Sequence, residues 1–338
     1  MPKAVKLADI AKEVGVSVVT VSKALSNQKG VSEEMRERIV KLADELGYKK
    51  NTFSANKTQS SRTVGILVHE KYFKKYNSFY LEMYQILSSE LVRTGDFGML
   101  EIVERESERE LLVPNLLKEA KADALILLGE FSGEYITSLK EKYSGPVIFL
   151  DFSDEKQGGI SVISDSFYGA YYLTNYLFDH GHKDIAFVGS LLSTKSITDR
   201  YLGYVKSMME HGISVRPDWQ IEDRDKTTGV IFEADKLTLP VEMPTAFVCD
   251  CDLAAGVLIK RLEKEGYSVP EDFSVVGYDN FIFPGVCDVE ITTYEVDMKT
   301  MVEETINLMN KALYDKDFTG GIHIVSGHLV EKESVKKI

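Results

Sequence analysis

The chain has 338 residues, of which 44% are hydrophobic, and it carries 40 basic against 53 acidic side chains, a net charge of −13. This length favours more than one domain, and the acidic total excludes a uniformly basic nucleic-acid-binding protein. The charge is unevenly distributed, because residues 1–62 hold 12 basic and 7 acidic residues whereas residues 63–338 hold 28 and 46. A small basic segment joined to a large acidic one predicts an attached module that binds a polyanion.

The sequence also bears on location. No apolar run approaches the ~18–20 residues that cross a bilayer, and acidic and basic residues interrupt the segment after Met1 where a signal peptide would need an apolar stretch. Three cysteines are too few for a disulfide framework in a chain of this length. We therefore expect a cytoplasmic protein.

Three short helices are predicted within residues 6–48. Apolar residues recur at helical spacing over 7–14, and Gly15 interrupts the pattern. Ser17 is placed to cap a second helix that runs to about Leu25, and Ser32 to cap a third that Gly47 ends. A small residue, a glycine turn and a second amphipathic helix at this spacing are typical of a helix-turn-helix, whose second helix enters the major groove of DNA.

A change of composition separates this head, residues 1–50, from the rest. Eight of the twelve residues in 51–62 are Ser, Thr, Asn or Gln, which predicts a linker. From residue 63 to 338, apolar strand-like runs alternate with helical patterns. The runs lie at 63–68, 97–103, 123–128, 146–152, 159–164, 184–189, 245–249 and 274–278. This alternation predicts an α/β body with two Rossmann-like parallel-sheet lobes, attached to a small all-α head.

Several ordered motifs give the chain a family resemblance. They are ADIAKEVGVSVVTVSKALSNQKG at the start of residues 8–51, GHKDIAFVG (181–189), TDRYLGY (198–204), PTAFVCDCDLAAG (244–256), GYSVPEDFSVVGYDN (266–280), ITTYEVD (291–297) and HLVEKES (328–334). Together they resemble the lactose-repressor (LacI/GalR) family of transcription regulators over nearly the whole chain. The resemblance implies a homodimeric repressor that binds a palindromic operator, with a carbohydrate-type effector held in a periplasmic-binding-protein-like body. It places the first lobe at about 63–158 and 295–322, and the second at about 159–294 and 323–338.

The resemblance and the chemistry of the second helix together nominate DNA-binding residues. By family position, Val18 and Val19 read bases and Lys23 lies one turn further along the helix. The side chains suited to phosphate contacts are Ser17, Thr20, Ser22 and Asn27. The family's hinge leucine, which wedges into the minor groove, corresponds here to Lys57, and Phe53 is the nearest apolar substitute. A charged side chain cannot unstack bases as an apolar wedge does, so we expect an atypical operator kink.

The resemblance also nominates effector-binding residues at strand ends. Arg200 and Asp279 match positions that hydrogen-bond an effector's hydroxyls, and Phe79 and Tyr80 match aromatics that cover it. Further candidates are Glu130, Asp165, Tyr168 and Asp252. Where the family commonly has an Asn-Asp pair, this chain has Cys251-Asp252, and the loop over residues 69–76 is longer than usual by about four residues. We expect a distinctive rim of the cleft.

The alternatives to a regulator are a metal-binding protein, an oxidoreductase and a solute-binding protein. A metal site would use Cys249, Cys251, His180 and His182, but these do not form a four-ligand set at finger-like spacing. An oxidoreductase would need a glycine-rich loop after the first body strand, where the sequence is Val68-His69-Glu70. A solute-binding protein without a DNA role would need a signal peptide in place of the helix-turn-helix. We therefore predict a non-enzymatic protein with neither cofactor nor metal.

Overall fold

A computed structural model describes residues 7–25, 30–46, 61–73, 79–118, 122–226, 228–281, 285–315 and 317–338. The chain divides into two compact units, Met1–Ser61 and Arg62–Ile338, here called the head and the body. Three predicted DNA-binding residues, Asn27, Phe53 and Lys57, lie outside the described residues.

The head contains the three predicted helices, α1 (Leu7–Val14), α2 (Val18–Leu25) and α3 (Glu33–Glu45). Gly15 adopts a φ of 74°, a conformation that glycine reaches without strain, and so permits the sharp turn between α1 and α2. The Thr20 backbone N–H donates to Ser17 Oγ over 3.1 Å, which confirms Ser17 as the N-cap of α2. The core of the head is formed by Ile10, Ala11, Val21, Ala24, Ile39 and Ala43.

The first lobe of the body is a six-stranded, all-parallel sheet in the order β11-β5-β4-β3-β1-β2. Its strands are β1 (Thr63–His69), β2 (Phe97–Val103), β3 (Ala124–Leu128), β4 (Val147–Leu150), β5 (Ile160–Ser164) and β11 (Gly321–Val325). Its helices are α4 (Phe79–Thr94), α5 (Arg105–Arg109), α6 (Asn115–Lys118), α7 (Gly133–Lys142) and α11 (Met298–Tyr314), and a 3-10 turn spans Glu70–Phe73. The central strand β3 is buried along its whole length, as continuous apolar runs predict.

The second lobe repeats this plan in the order β12-β10-β9-β8-β6-β7. Its strands are β6 (Ile185–Val188), β7 (Gln220–Ile221), β8 (Ala246–Cys249), β9 (Ser274–Asp279), β10 (Thr292–Glu295) and β12 (His328–Val330), and β12 alone among these runs antiparallel to its neighbour. The helices are α8 (Ser166–Asp179), α9 (Lys195–Glu210) and α10 (Asp252–Lys264), with 3-10 turns at Pro217–Trp219 and Ala234–Lys236. Gly203 lets α8 and α9 pack closely, since a Cβ there would collide with the Phe167 carbonyl.

The structure differs from the sequence-based boundaries in three places. Strand β5 pairs with β4 and β11, so it belongs to the first lobe, and the chain first crosses to the second lobe after residue 164 rather than 158. The single helix predicted near 106–120 is two short helices, because Leu111 has a φ of 54° and Pro114 follows it. Strands β10, β11 and β12 were not predicted, and they are short or lie at sheet edges.

Within the described part of the chain, no helix combines the length and apolar character needed to cross a membrane. The body crosses between its lobes three times, between β5 and α8, between β10 and α11, and between β11 and β12. These three connecting segments of the chain are suited to act as a hinge, about which the two lobes can rotate as rigid units.

Candidate functional site

The carboxyl ends of the strands in both lobes converge on a cavity of about 240 Å³. Ligands of open α/β folds bind at this edge of the sheet. The polar lining residues are Lys71, Asp151, Ser193, Thr194, Ser196, Arg200, Arg224, Asp250, Cys251 and Asp279, and the aromatic ones are Tyr72, Phe79, Tyr80 and Phe281. Four of the predicted effector-binding residues, Phe79, Tyr80, Arg200 and Asp279, are therefore brought together in one cavity.

Arg200 lies at the centre of the second-lobe wall, on α9, whose first turn is capped by Thr194. Its Nη1 donates to the Asp250 carbonyl oxygen over 2.6 Å, and its Nη2 lies 3.4 Å from Asp279 Oδ1. The guanidinium carbon is also 3.7 Å from the centroid of the Tyr278 ring. Burial alone would lower the pKa of Arg200, but the surrounding carboxylates, with Asp279 foremost, raise it above its ordinary value. Arg200 is therefore a fixed cation.

Asp279 ends β9 in an unusual backbone conformation. Its φ is 102° and that of Asn280 is 50°, both in the left-handed region that residues other than glycine rarely adopt. Strained backbone of this kind concentrates at ligand-binding sites, where the surrounding structure holds it in place. Burial raises the pKa of Asp279 well above its ordinary value against the opposing effect of Arg200. The carboxyl group is thus poised to gain from a ligand hydroxyl that donates to it.

Arg224 is a second buried cation in this wall, and the sequence analysis missed it. It starts a small hairpin that an isolated bridge to Ile231 closes. Its guanidinium forms an ion pair of 2.7 Å with Asp223 and a second one with Asp250. Burial raises the pKa of Asp250 to about 6, although Arg224 opposes the shift. In the sequence, Arg224 lies in the turn-forming run DRDKTTG after β7, which is not among the family motifs quoted above.

The first-lobe wall presents a hydrogen-bonded tyrosine and aspartate. The Tyr80 hydroxyl donates to Asp151 Oδ2 over 2.9 Å, and the ring of Tyr72 packs against that of Tyr80 with centroids 4.0 Å apart. Burial raises the pKa of Asp151 to about 6, and Arg200 and the Tyr80 hydrogen bond limit the shift. Asp151 follows β4 and was missed because the run PVIFLDF was predicted to be strand up to its last residue.

The segment that follows β1 contributes to the rim of the cavity. Its 3-10 turn places Lys71 and Tyr72 against the cavity. The Glu130 backbone N–H donates to the Tyr72 hydroxyl over 2.9 Å, while the Glu130 side chain lines a smaller adjoining pocket of about 30 Å³. Burial lowers the pKa of Lys71 and raises that of Glu130. Both side chains would recover hydration energy by bonding to a polar ligand.

Two phenylalanines face each other across the opening between the lobes. Phe79 begins α4 in the first lobe and Phe281 follows β9 in the second, and their rings are perpendicular with centroids 6.1 Å apart. Aromatic rings at this separation attract each other edge to face. The pair therefore forms a contact between the two lobes and provides apolar faces for a ligand.

The remaining predicted effector residues lie outside the cavity. Asp165 caps α8 by accepting from the Tyr168 backbone N–H over 3.4 Å, and the side chain of Tyr168 is half exposed on that helix. Asp252 is buried beneath the cavity wall, where its Oδ2 accepts from the Phe281 backbone N–H over 3.1 Å. Proximity to a strand end identified Asp165 and Tyr168, and family position identified Asp252. All three lie at the start of a helix, and none lines the cavity.

The cysteine and histidine pairs have structural roles. Cys251 Sγ accepts from the Ala254 backbone N–H over 3.5 Å and so caps α10, while burial raises the pKa of Cys249. The two ring nitrogens of His182 contact Thr245 Oγ1 and the Lys336 carbonyl oxygen. In the described ranges, no group of three or more His, Cys, Asp or Glu side chains could hold a metal ion.

In the head, α2 buries Val21 and Ala24 and leaves the other face free. Val18 is 45% exposed and Val19 is 63% exposed, so the first turn of α2 presents two adjacent apolar side chains to solvent. Ser22 and Lys23 are also exposed, and Thr20 is half-buried, with its Oγ1 2.8 Å from Ser17 Oγ. The described DNA-binding candidates thus share a short helix whose first turn projects apolar side chains.

Comparisons with known proteins agree with this geometry. Residues 6–51 match the model of bacterial regulatory proteins of the lacI family, and residues 174–335 match a periplasmic binding protein-like domain. The HTH-type transcriptional repressor PurR of Vibrio campbellii is 27% identical over 332 residues, 98% of each chain. The transcriptional regulator CelR in a cellobiose complex superposes with a TM-score of 0.68 at 20% identity, over 98% of this chain and 99% of that one. The lac repressor dimer bound to operator and the anti-inducer ONPF superposes with a TM-score of 0.65 at 22% identity, over 99% of this chain and 100% of that one.

A helix-turn-helix head joined to a two-lobed body with a cleft at its strand ends defines a DNA-binding regulator with an effector site. The match of the head also separates the chain from a solute-binding protein that has the body alone. The chain belongs to the LacI family of transcriptional regulators.

Proposed function

We propose that the chain is a homodimeric repressor whose operator affinity is controlled by a carbohydrate-type effector in the cleft. The observation that carries this proposal is the matched set of basic and acidic side chains in the cavity. Three cations, Lys71, Arg200 and Arg224, are matched by three acidic side chains, Asp151, Asp250 and Asp279. A neutral polyol offers hydroxyls that both donate and accept, so it can satisfy such a set without bringing an uncompensated charge.

The aromatic lining supports the same class of ligand. Phe79 and Phe281 give the cavity apolar faces on which the C–H surface of a sugar ring can pack. Titles of the related structures name a cellobiose complex of CelR and a lac repressor dimer that holds both operator and ONPF. On the basis of this similarity, we propose that this chain also has an effector site, binds an operator and forms a dimer.

We assign Phe79, Tyr80, Asp151, Arg200, Arg224, Asp250 and Asp279 to effector binding, with Glu130 in the adjoining pocket. The acidic groups and Arg200 bind hydroxyls, and the aromatic rings exclude water from the site. Asp165, Tyr168 and Asp252 are not part of this assignment. The proposal involves no catalytic step and no cofactor.

DNA binding is assigned to α2 of the head. Val18 and Val19 offer apolar contact to thymine methyl groups, while Ser17, Thr20, Ser22 and Lys23 provide hydrogen bonds to phosphates or bases. Asn27, Phe53 and Lys57 keep the roles that the sequence predicts for them. A homodimer would place two such helices on successive half-sites of a palindrome.

The edge strand β2 supports the dimeric state. Phe97 is 57% exposed, Met99 36% and Ile102 46%, and Val92 nearby on α4 is 58% exposed. An apolar edge strand invites pairing with another chain unless it is covered. Light scattering of the wild type should give twice the mass of one chain, and Phe97→Asp should shift it toward one. A monomeric wild type would contradict this part of the proposal.

The effector class is tested by a thermal-shift screen of neutral mono- and disaccharides, with calorimetry on any compound that raises the melting temperature. A ligand at 100 times its Kd stabilises the folded protein by about 2.7 kcal/mol, which is readily seen. We expect at least one neutral sugar to bind, and Arg200→Lys to abolish its binding. Stabilisation by other classes of small molecule alone would contradict the carbohydrate proposal.

A further inference from the structure

We propose that Arg62 is a positioning residue that couples the effector cleft to the DNA-binding head. It is the first residue of the body, so the chain that comes from the head enters the body at this point. The inference rests on the DNA-binding function but not on the identity of the effector. It goes beyond the site, because Arg62 is not among the residues that line the cavity.

Arg62 is held by two elements at once. Its Nε and Nη2 donate to the two carboxylate oxygens of Asp96, over 3.0 and 2.5 Å, and its backbone N–H donates to Oδ1 over 3.1 Å. Nη2 also donates to Asn310 Oδ1 over 2.7 Å, and the guanidinium carbon lies 6.0 Å from the centroid of the Tyr314 ring. Asp96 is only 4% exposed. A bidentate, largely buried pair of this kind fixes the backbone as well as the side chain.

The partners of Arg62 lie at the ends of two long helices. Asp96 follows α4, and its backbone N–H donates to the Leu91 carbonyl in the last turn of that helix. Asn310 and Tyr314 lie in the last turns of α11. The hydrogen bonds of Arg62 therefore tie the C-terminal ends of α4 and α11 to the start of the body.

The opposite end of α4 lines the cleft, and the opposite end of α11 lies beside it. Phe79 and Tyr80 open α4, and both line the effector cavity. Helix α11 starts directly after the crossover from β10, beside the groove that Asp279 and Asp297 share. The two helices have 16 and 17 residues and pack against each other, so at 1.5 Å per residue each is about 25 Å long.

These contacts form a mechanical connection. Packed helices shift as rigid rods because interiors are as dense as organic crystals. A movement of the first turns of α4 and α11 when the lobes close is carried to their last turns, where Arg62 holds the chain. Coupling between sites is reciprocal, so operator binding must in turn alter the cleft ends of both helices.

The test is backbone hydrogen exchange of the full-length protein, with and without an operator duplex selected from randomised DNA by the wild type. In the wild type, operator should change the exchange of the first turns of α4 and α11. Arg62→Lys keeps the charge but loses the bidentate fork, so it should bind operator yet lose that remote change. Asn310→Ala, which removes one contact and keeps the Asp96 pair, should reduce it.

Arg216→Lys is the matched control. Arg216 makes the same bidentate contact with Asp218, over 3.2 and 2.6 Å, on the surface of the second lobe. It should respond to operator as the wild type does. A merely structural role of Arg62 would lower the melting temperature and leave the remote response intact.

The inference is overturned if Arg62→Lys retains the wild-type response, or if the wild type shows no response in these turns. If Arg62→Lys does not bind operator, Asn310→Ala decides the question. A change in exchange equal to that of the wild type overturns the inference, and a smaller change supports it. A wild type that selects no DNA at all would overturn both the inference and the proposed function, whereas a selected operator without a remote response removes only the inference.

Discussion

Arg200 Nη2 lies 3.4 Å from Asp279 Oδ1, and both residues belong to the second lobe. The opposing wall, with Asp151 and Tyr80, comes from the first lobe. A ligand that bonds to both walls has more contacts when the lobes are closed, and so it shifts the population toward that state. The site thereby links ligand binding to the arrangement of the lobes.

Replacing Asp279 by asparagine tests the assignment of the second-lobe wall. Asp279→Asn preserves size, and it should fold because burial already disfavours the charged carboxylate. It replaces a carboxyl oxygen that accepts hydrogen bonds by an amide nitrogen, and a buried donor left without its acceptor costs about 1–3 kcal/mol. We expect calorimetry with the sugar found by screening to give at least tenfold weaker binding. Asp165→Asn, outside the cavity, should bind as the wild type does; equal affinities in all three proteins would refute the assignment.

Replacing Tyr80 by phenylalanine tests the first-lobe wall through its pH dependence. Burial raises the pKa of Asp151 to about 6, and the Tyr80 hydroxyl restrains the shift. Without that donor the pKa of Asp151 should rise further. Binding that requires the ionised carboxylate is present above this pKa and lost as pH falls through it, so Tyr80→Phe should lose the ligand at a higher pH than the wild type.

Calorimetry over the range from about pH 5 to pH 8 measures this shift. Tyr143→Phe is the control, because the Tyr143 hydroxyl bonds to the Ala122 carbonyl in the first lobe and does not line the cavity. Coincident pH profiles for Tyr80→Phe and the wild type would show that Asp151 does not act as a charged acceptor.

The raised pKa of Asp252 predicts an effect on the stability of the protein rather than on ligand binding. Burial raises the pKa of Asp252 to about 7, so the folded state takes up this proton more readily than the unfolded state. Its contribution to stability is therefore greatest below pH 4 and falls as pH rises to about 7, by roughly 4 kcal/mol in total. Asp252→Asn does not titrate. The variant should have a higher melting temperature than the wild type at pH 8, and the difference should become smaller toward pH 5. A difference that stays the same between pH 8 and pH 5 would contradict the raised pKa of Asp252.

The exposed valines of α2 make a prediction about operator recognition. Val18→Ala or Val19→Ala should weaken operator binding by roughly 1 kcal/mol and relax the preference at one base pair. The dependence of affinity on salt should not change, because valine displaces no counterion. Val40→Ala alters a valine of α3 that is 40% exposed and serves as the control. Equal losses from all three variants would point to stability of the head instead of base contact.

The sequence predicted most of the architecture because its signals are local. Helical spacing identified α1 to α3, and continuous apolar runs identified the central strands of both sheets. It misplaced β5 because apolar character does not say which sheet a strand joins just before a crossover. Family position found Arg200 and Asp279, whereas Asp151, Asp250 and Arg224 acquire their environment from segments far apart in the chain.

Asp165 and Asp252 illustrate the opposite error. Both follow a strand and precede a helix, which is the pattern of a ligand-binding carboxylate and also that of a helix N-cap or of a residue in a helix's first turn. The direction of the side chain decides between these roles, and it depends on the packing of the helix against the sheet.

We propose that one ligand, bound between the lobes, changes the affinity of the head for DNA. Fluorescence anisotropy of a labelled operator, titrated with full-length protein in the absence and presence of a saturating sugar, measures this directly. We predict a change of roughly 5- to 150-fold in operator affinity, matched by the same factor in the sugar's affinity when operator is bound. Identical operator affinity with and without the bound sugar would contradict the claim.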